Sequence, residues 1–287
     1  MRFTTYLSPT GPRLGLVTDD GLIDLASACP EVPSDLLTAL RQNVNLADAA
    51  ERAIHSSAPR LQPDAQQYAP VIPAPGKIIC LGLNYFDHAK EGGRDKPAYP
   101  WFFLRTASSL VGHGQDLWLP RVSAQLDYEA ELAVVIGQRV PRHIAAEHAL
   151  PYVFGYSCFN DVSVRDYQKK TPQWTIGKNF DASGALGPNV VTANALPPGA
   201  TNLRIQSRLN GAVMQDANTA DMIWGVAETL ALLSTAMTLE PGDVIAMGTP
   251  AGVGQSRQPP VWLQAGDHVE VDIEGVGLLS NPVRPEP

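Results

Sequence analysis

The chain has 287 residues, a length that at roughly 150 residues per domain accommodates about two domains, or one large one with an appendage. Hydrophobic residues make up 44% and charged residues 17%, which excludes a disordered chain, a coiled coil and a basic nucleic-acid tail. Acids outnumber bases by 29 to 21, for a net charge of −8, so phosphate backbones and anionic lipid are repelled, neither nucleic acid nor membrane is an expected partner, and small cations become better ligands.

The 24 glycines and 25 prolines favour many turns and short strands over long helices. Residues 1–72 read as a small α+β unit. Three short β-like runs (2–7, 13–18, 22–26) are separated by turn residues, and Ser34 is placed to cap a helix that begins DLLTALRQN. A second helix carries apolar residues at 46, 50, 53 and 54, the spacing of one helical face. The Pro-rich stretch APVIPAPG (69–76) cannot continue a helix and offers few ladder donors, so it reads as a linker and puts a boundary near residue 72.

Residues 73–287 show β-like runs at 77–83, 101–105, 124–137, 152–159, 203–209, 243–247 and 268–273, with helical patterns only at 145–150 and 223–234. Strands outnumber helices and rarely alternate with them, so the expected class is α+β and β-rich, a mixed β-roll or sandwich and not a doubly wound parallel sheet. Cys29, Cys80 and Cys158 form no C-x-x-C pair, and two of them sit in apolar runs, as buried thiols in a reducing compartment would. The N-terminus lacks a basic region followed by an apolar one, and no window approaches a membrane span, so a cytoplasmic, soluble protein is expected.

The chemistry concentrates in four places. In LDYEAELAVVIG (126–137) a strand's period of two puts Asp127, Glu129 and Glu131 on one face, and the run into AVVIG suggests that this face is buried. Buried carboxylates that close need protons or a cation, and oxygen ligands without Cys or His favour Mg²⁺ or Mn²⁺, with Ca²⁺ a lesser option. The alternative is a solvated edge strand whose charges discourage edge pairing. Asp161 ends the run VFGYSCFN at a sheet rim, where it either completes a three-carboxylate set with Glu129 and Glu131 or acts as a turn residue. On this reading Asp166 pairs with Arg165 or with nearby backbone.

His88 and Glu91 in HAKE lie three apart, so on a helical turn they share a face as a water-activating pair in outline, or else form an ordinary exposed pair. Gly92, Gly93 and Pro97 follow and suit a lid over 92–101. Lys178, a lone cation in WTIGKNF, is either a surface lysine or a group that holds a developing enolate or a carboxylate. MGTPAGVG (247–254) could receive an anion on its N–H groups and on the Thr249 hydroxyl, but it is neither a P-loop nor a nucleophile elbow.

Taken in order and spacing, NYFDHAKE, LDYEAELAVVIG, FNDVSVRDYQ, GKNFD, LNGAVMQ, LEPGDVIAMGTPAGVG and GDHVEVDIEGVGLLSNPV resemble the fumarylacetoacetate hydrolase family over about residues 77–283. The resemblance implies a mixed β-sandwich roll, usually dimeric, with the N-terminal α+β domain of longer members. It also implies Glu129, Glu131 and Asp161 as ligands of a divalent metal, His88 and Glu91 as the water-activating pair, Lys178 beside the substrate, and Arg105, Gln168 and Thr249 as substrate contacts. The expected activity is metal-dependent hydrolysis of a C–C bond in an acylpyruvate or other diketo acid, in the breakdown of aromatic compounds or 2-oxo acids. The alternatives are isomerisation or decarboxylation of hydroxydienedioates or oxaloacetate-like 2-oxo acids at the same site, and, from a different class, a catalytically silent binding protein.

Overall fold

Turn residues and alternating apolar positions dictate the first part of the chain in this computed structural model, which describes residues 1–91 and 97–287. Strands Arg2–Ser8, Gly11–Thr18 and Gly21–Asp24 form an antiparallel meander with Thr4 opposite Gly15 and Leu16 opposite Ile23. The third strand stops two residues earlier than the expected 22–26, because the Asp24 carboxylate caps the helix Leu25–Ala28 by accepting the Ser27 N–H at 2.7 Å. Asp35, and not the expected Ser34, caps the helix Leu36–Arg41 through the Thr38 N–H, and Asn45 caps Leu46–Ile54. The Pro-rich stretch 69–76 holds neither helix nor strand.

The first strand does not stay within its own unit. Arg2–Ser8 pairs antiparallel with Gly184–Thr192, Phe3 opposite Val190, so a single 12-stranded sheet runs from the N-terminal meander into the second part of the chain. Phe3, Leu14 and Leu16 share a buried cluster with Val135, Phe159 and Ala246. The sheet is thus continuous across the expected boundary near residue 72.

Beyond Gly184–Thr192 the sheet continues through Val153–Asn160, Ala130–Ile136, Val244–Ala246, Ile78–Gly82 and the edge strand Trp101–Arg105. Every residue of Ala130–Ile136 is buried, which explains the unbroken apolar run after Glu131. A five-stranded sheet, ordered Ala212–Asn218, Arg204–Leu209, His268–Ile273, Gly277–Pro285 and Leu117–Leu119, packs against the first, and Leu132, Val134, Ile205 and Val271 meet in the shared core. The result is an α+β, β-rich sandwich roll.

Of the strands outside the expectation, three are long: Gly184–Thr192, Ala212–Asn218 and Gly277–Pro285. The first contains Gly187-Pro188, a turn signal that a central strand tolerates only at a bulge. Its partner strand supplies one, with a register shift between Tyr156 and Cys158 opposite that pair. The helix expected at 223–234 forms as Val226–Ala236, because the N–H groups of Ile223 and Trp224 are engaged by Asn84. The stretch 145–150 forms two single 3₁₀ turns, Ala146–His148 and Leu150–Tyr152, with Pro151 inside the second. All three cysteines are buried and free. Among the described residues no helix is long and apolar enough to cross a membrane.

Candidate active site

The carboxylates are positioned by a break in a strand. Residues 126–136 form two pieces, Leu126–Asp127, paired with Ser163–Val164, and Ala130–Ile136, with Tyr128-Glu129 between them outside either strand. The period of two therefore fails to carry Asp127 onto the face of Glu129 and Glu131. Asp127 instead accepts the Gly254 N–H at 2.7 Å and the Gln255 N–H at 3.0 Å, and pairs with Arg165 Nε at 2.8 Å. Gly254 is required there, since a Cβ would stand 1.9 Å from the Val261 carbonyl oxygen and 2.6 Å from the Asp127 carboxylate.

Glu129 and Glu131 instead meet Asp161, and the three offer oxygens that all lie within 4.8 Å of one another, fully buried. The Asp161 N–H donates to the Glu129 carbonyl at 2.9 Å, while the Asn160 side chain accepts the Glu129 N–H at 3.0 Å. Backbone bonds between a strand end and a strand break thus hold two of the three acids together.

Three buried cations answer four buried acids. Lys178, 1% exposed and so no surface lysine, places its ammonium 2.7 Å from Glu129 Oε2 and 2.6 Å from Asp161 Oδ2. It reaches them because Thr175–Lys178 packs directly on Arg165–Gln168, where a Cβ on Gly177 would lie 2.3 Å from the Gln168 nitrogen. Arg165 pairs with Asp127 and lies 2.6 Å from Glu129 Oε1, while Asp166 takes the Ser123 hydroxyl instead of the expected Arg165. Arg105, expected to contact substrate, does not reach the cavity. Its side chain has no exposure and its guanidinium is spent on Asp161 Oδ1 (2.5 Å), the Val162 carbonyl, Ser109 and Ser183. It braces Asp161 from behind.

The acid left over is Glu131. Among the described residues its side chain receives one N–H, from Gly248 at 2.9 Å, and no cation comes within ion-pair distance. Burial, and then the charges of Asp161 and Glu129, push its carboxyl well above the usual carboxylate range. Burial also opposes ionisation of Glu129, but Lys178 and Arg165 outweigh it and hold that carboxyl well below its usual value. Lys178 would be lowered by burial, yet Asp161 and Glu129 raise it overall, so it keeps its proton. Each carboxylate oxygen retains lone pairs beyond its lysine or arginine bond. Four buried acids against three buried cations leave the group one positive charge short, and the three clustered carboxylates, offering only oxygen donors, fit a hard divalent cation.

Glu129, Glu131 and Lys178 open on a cavity of about 590 Å³, whose wall also carries His88, Glu91, Gln168 and Thr249. His88 and Glu91, on the short helix Phe86–Glu91, meet through Nδ1 and Oε2 at 3.3 Å and keep 12% and 22% side-chain exposure. The Gly252 N–H binds the other Glu91 oxygen at 3.0 Å. Burial would raise the Glu91 carboxyl, but bonds from His88 and Gly252 bring it below its usual value, so it stays charged beside the imidazole. Thr249 Oγ1 accepts from the Gln215 amide at 2.7 Å, which leaves its own proton to donate into the cavity. Gln168 accepts from Arg165 at 3.0 Å. Gly92 and Gly93 of the expected lid lie outside the described residues. A larger hollow of about 710 Å³, lined by Tyr68 and His113 between the N-terminal meander and the second sheet, holds none of the acid cluster.

Sequence reasoning thus brought eight of its nine site residues to one cavity or its buried acid cluster, with Arg105 standing behind. It missed Arg165 and Gln215, whose partners lie 38 and 34 positions away, a distance no local pattern bridges. The only signal was that each sits within a motif already singled out.

The model for the fumarylacetoacetate hydrolase C-terminal domain matches residues 77–284. The human mitochondrial oxaloacetate tautomerase FAHD2A is 39% identical over 99% of this chain and 91% of its own. Among solved structures, the fumarylacetoacetate hydrolase of psychrophilic Exiguobacterium antarcticum superposes with a TM-score of 0.87 at 35% identity, and the 5-carboxymethyl-2-hydroxymuconate delta-isomerase of Mycobacterium smegmatis with 0.78 at 30%, each covering 100% of both chains. The family match over residues 77–284 and these full-length similarities show that the chain belongs to the fumarylacetoacetate hydrolase family.

Proposed function

We propose that the protein is a Mg²⁺- or Mn²⁺-dependent enzyme that interconverts the keto and enol forms of a small 2-oxo acid of the oxaloacetate type. The observation that carries this reading is the group of buried acids one charge short, with Glu131 uncompensated, opening on the same cavity as the His88–Glu91 pair. Glu129, Glu131 and Asp161 would hold the metal, which when bound supplies electrophilic stabilisation to the oxygen of an enolate. His88, kept in place by Glu91, is the group placed to take a proton from the carbon beside the keto group and to return it. Lys178 is no rival base, because two carboxylates hold its proton. Thr249 donates its hydroxyl to the substrate, and Gln168 lines the wall.

The human tautomerase, similar along nearly the whole chain, supports tautomerisation over the hydrolysis that the motifs alone suggested. Hydrolysis of an acylpyruvate is the second reading, favoured by the partial exposure of His88 and Glu91, which lets water reach the base. The test follows enol absorbance of oxaloacetate and of acylpyruvates, with metal-stripped protein before and after addition of Mg²⁺ or Mn²⁺, together with product analysis. A metal-dependent change with carbon number intact supports the tautomerase, two carbon fragments transfer the assignment to the hydrolase, and carbon dioxide to a decarboxylase. Bound metal without turnover would favour a silent binding protein. A homodimer and a cytoplasmic location belong to the same reading, checked by light scattering and by fractionation of cells.

A further inference from the structure

Of the cations on the cavity wall, Arg257 is set up differently from Arg165 and Lys178. Those two are neutralised by Asp127, Glu129 and Asp161. Arg257 has its Nε on the Tyr128 hydroxyl (3.2 Å) and the Gly252 carbonyl (3.3 Å), and its Nη2 on the Met214 carbonyl (2.6 Å). All three acceptors are uncharged, and no carboxylate of the described residues lies within ion-pair distance. The guanidinium is therefore fixed in direction while its charge is left whole, an arrangement that suits capture of a carboxylate from outside.

Its place along the wall is also defined. Gly252 gives its N–H to Glu91 and its carbonyl to Arg257, so Arg257 stands one residue's width from the His88–Glu91 pair. The loop that carries it cannot drift, since Asp127 grips the N–H groups of Gly254 and Gln255, and the Arg257 and Val261 N–H groups both return to the Gly254 carbonyl.

We propose that Arg257 determines specificity by gripping the second carboxylate of a dicarboxylic 2-oxo acid, so that the site selects diacids over monocarboxylic 2-oxo acids. This rests on the proposed 2-oxo acid function and adds its substrate class. Lys169, exposed on the same wall, is a supplementary cation, whereas Arg257 is the oriented one.

The experiment is calorimetric binding of oxaloacetate, its monoester at the distal carboxylate, and pyruvate to Mg²⁺-loaded protein. Wild-type protein is expected to favour oxaloacetate over both other compounds by about ten- to a hundredfold, the usual worth of a charge-assisted fork. In Arg257→Gln that advantage disappears while pyruvate affinity stays the same, and Arg257→Lys restores part of it. The wild-type comparison of oxaloacetate with its monoester needs no variant, so misfolding of either substitution leaves the test intact. Equal binding of the three compounds to wild-type protein, or an undiminished preference in a folded Arg257→Gln, overturns the assignment of Arg257 alone. Failure of all three to bind overturns the 2-oxo acid function along with it.

Discussion

Two buried carboxylates, one in each part of the chain, are treated in opposite ways. Asp24, in the N-terminal meander, accepts from the Arg13 guanidinium on both oxygens, from the Tyr6 hydroxyl at 2.5 Å and from the Ser27 N–H at 2.7 Å. Burial would raise its carboxyl, yet these partners pull it far below the usual range. Glu131 has a single N–H and two like-charged neighbours. The first group is complete without anything from outside, and the second needs a proton or a cation. Burial alone does not mark a site; a burial whose charges fail to balance does.

The comparison is broken most directly at Glu131. Glu131→Gln is expected to weaken metal binding and lower kcat/KM by about 10³-fold or more, while the metal-free protein becomes no less stable, because a neutral amide replaces a charge that had no partner. Loss of stability together with activity would place Glu131 with Asp24. Lys178→Met strips Glu129 and Asp161 of a shared partner and should cost about 3 kcal/mol in chemical denaturation of the metal-free protein. Added Mg²⁺ should recover part of that loss.

How far such assignments were visible in advance depended on range. Glu129, Glu131 and Asp161 were legible because a strand's alternation and a strand's end are local properties. Asp127 was misplaced because alternation assumes an unbroken strand, and the break at Tyr128-Glu129 is imposed by pairing of Leu126–Asp127 with Ser163–Val164. That the Arg105 guanidinium meets Asp161 could not be read from its own strand, because Asp161 lies 56 positions away. The edge strand Trp101–Arg105 was found to the residue, whereas Gly184–Thr192 was lost to its internal Gly-Pro, since a bulge in the neighbouring strand cannot be read from the strand itself.

Smaller effects sharpen the contrast. His88→Gln should reduce turnover about 10²-fold with metal affinity and melting temperature unchanged, measured by steady-state kinetics and calorimetry. Asp24→Asn should do the reverse, costing about 2 kcal/mol of stability through its charged hydrogen bonds and sparing kcat/KM of the folded fraction. The mildest test is pH. Asp24, lowered on folding from 3.8, contributes stability above that value and loses it as pH falls; Glu131, raised on folding from 4.5, makes metal-free protein less stable as pH climbs above that value. Each slope is limited to about 1.4 kcal/mol per pH unit. Melting curves of metal-stripped protein should decline from about pH 5 toward neutrality, and either Mg²⁺ or Glu131→Gln should flatten them.

The grip of Asp127 on the loop has a consequence for how such a protein can diversify. Its carboxylate takes hold of main-chain N–H groups at Gly254 and Gln255, and it asks nothing of the side chains that follow. Side chains at 255–260 can therefore be varied, so long as Gly254 and the Gln255 and Arg257 N–H groups are kept, without loosening the Asp127 anchor beside the acids proposed to hold the metal. Substrate range and reaction machinery are then free to change at different rates, and a designer seeking a new substrate can randomise those positions first.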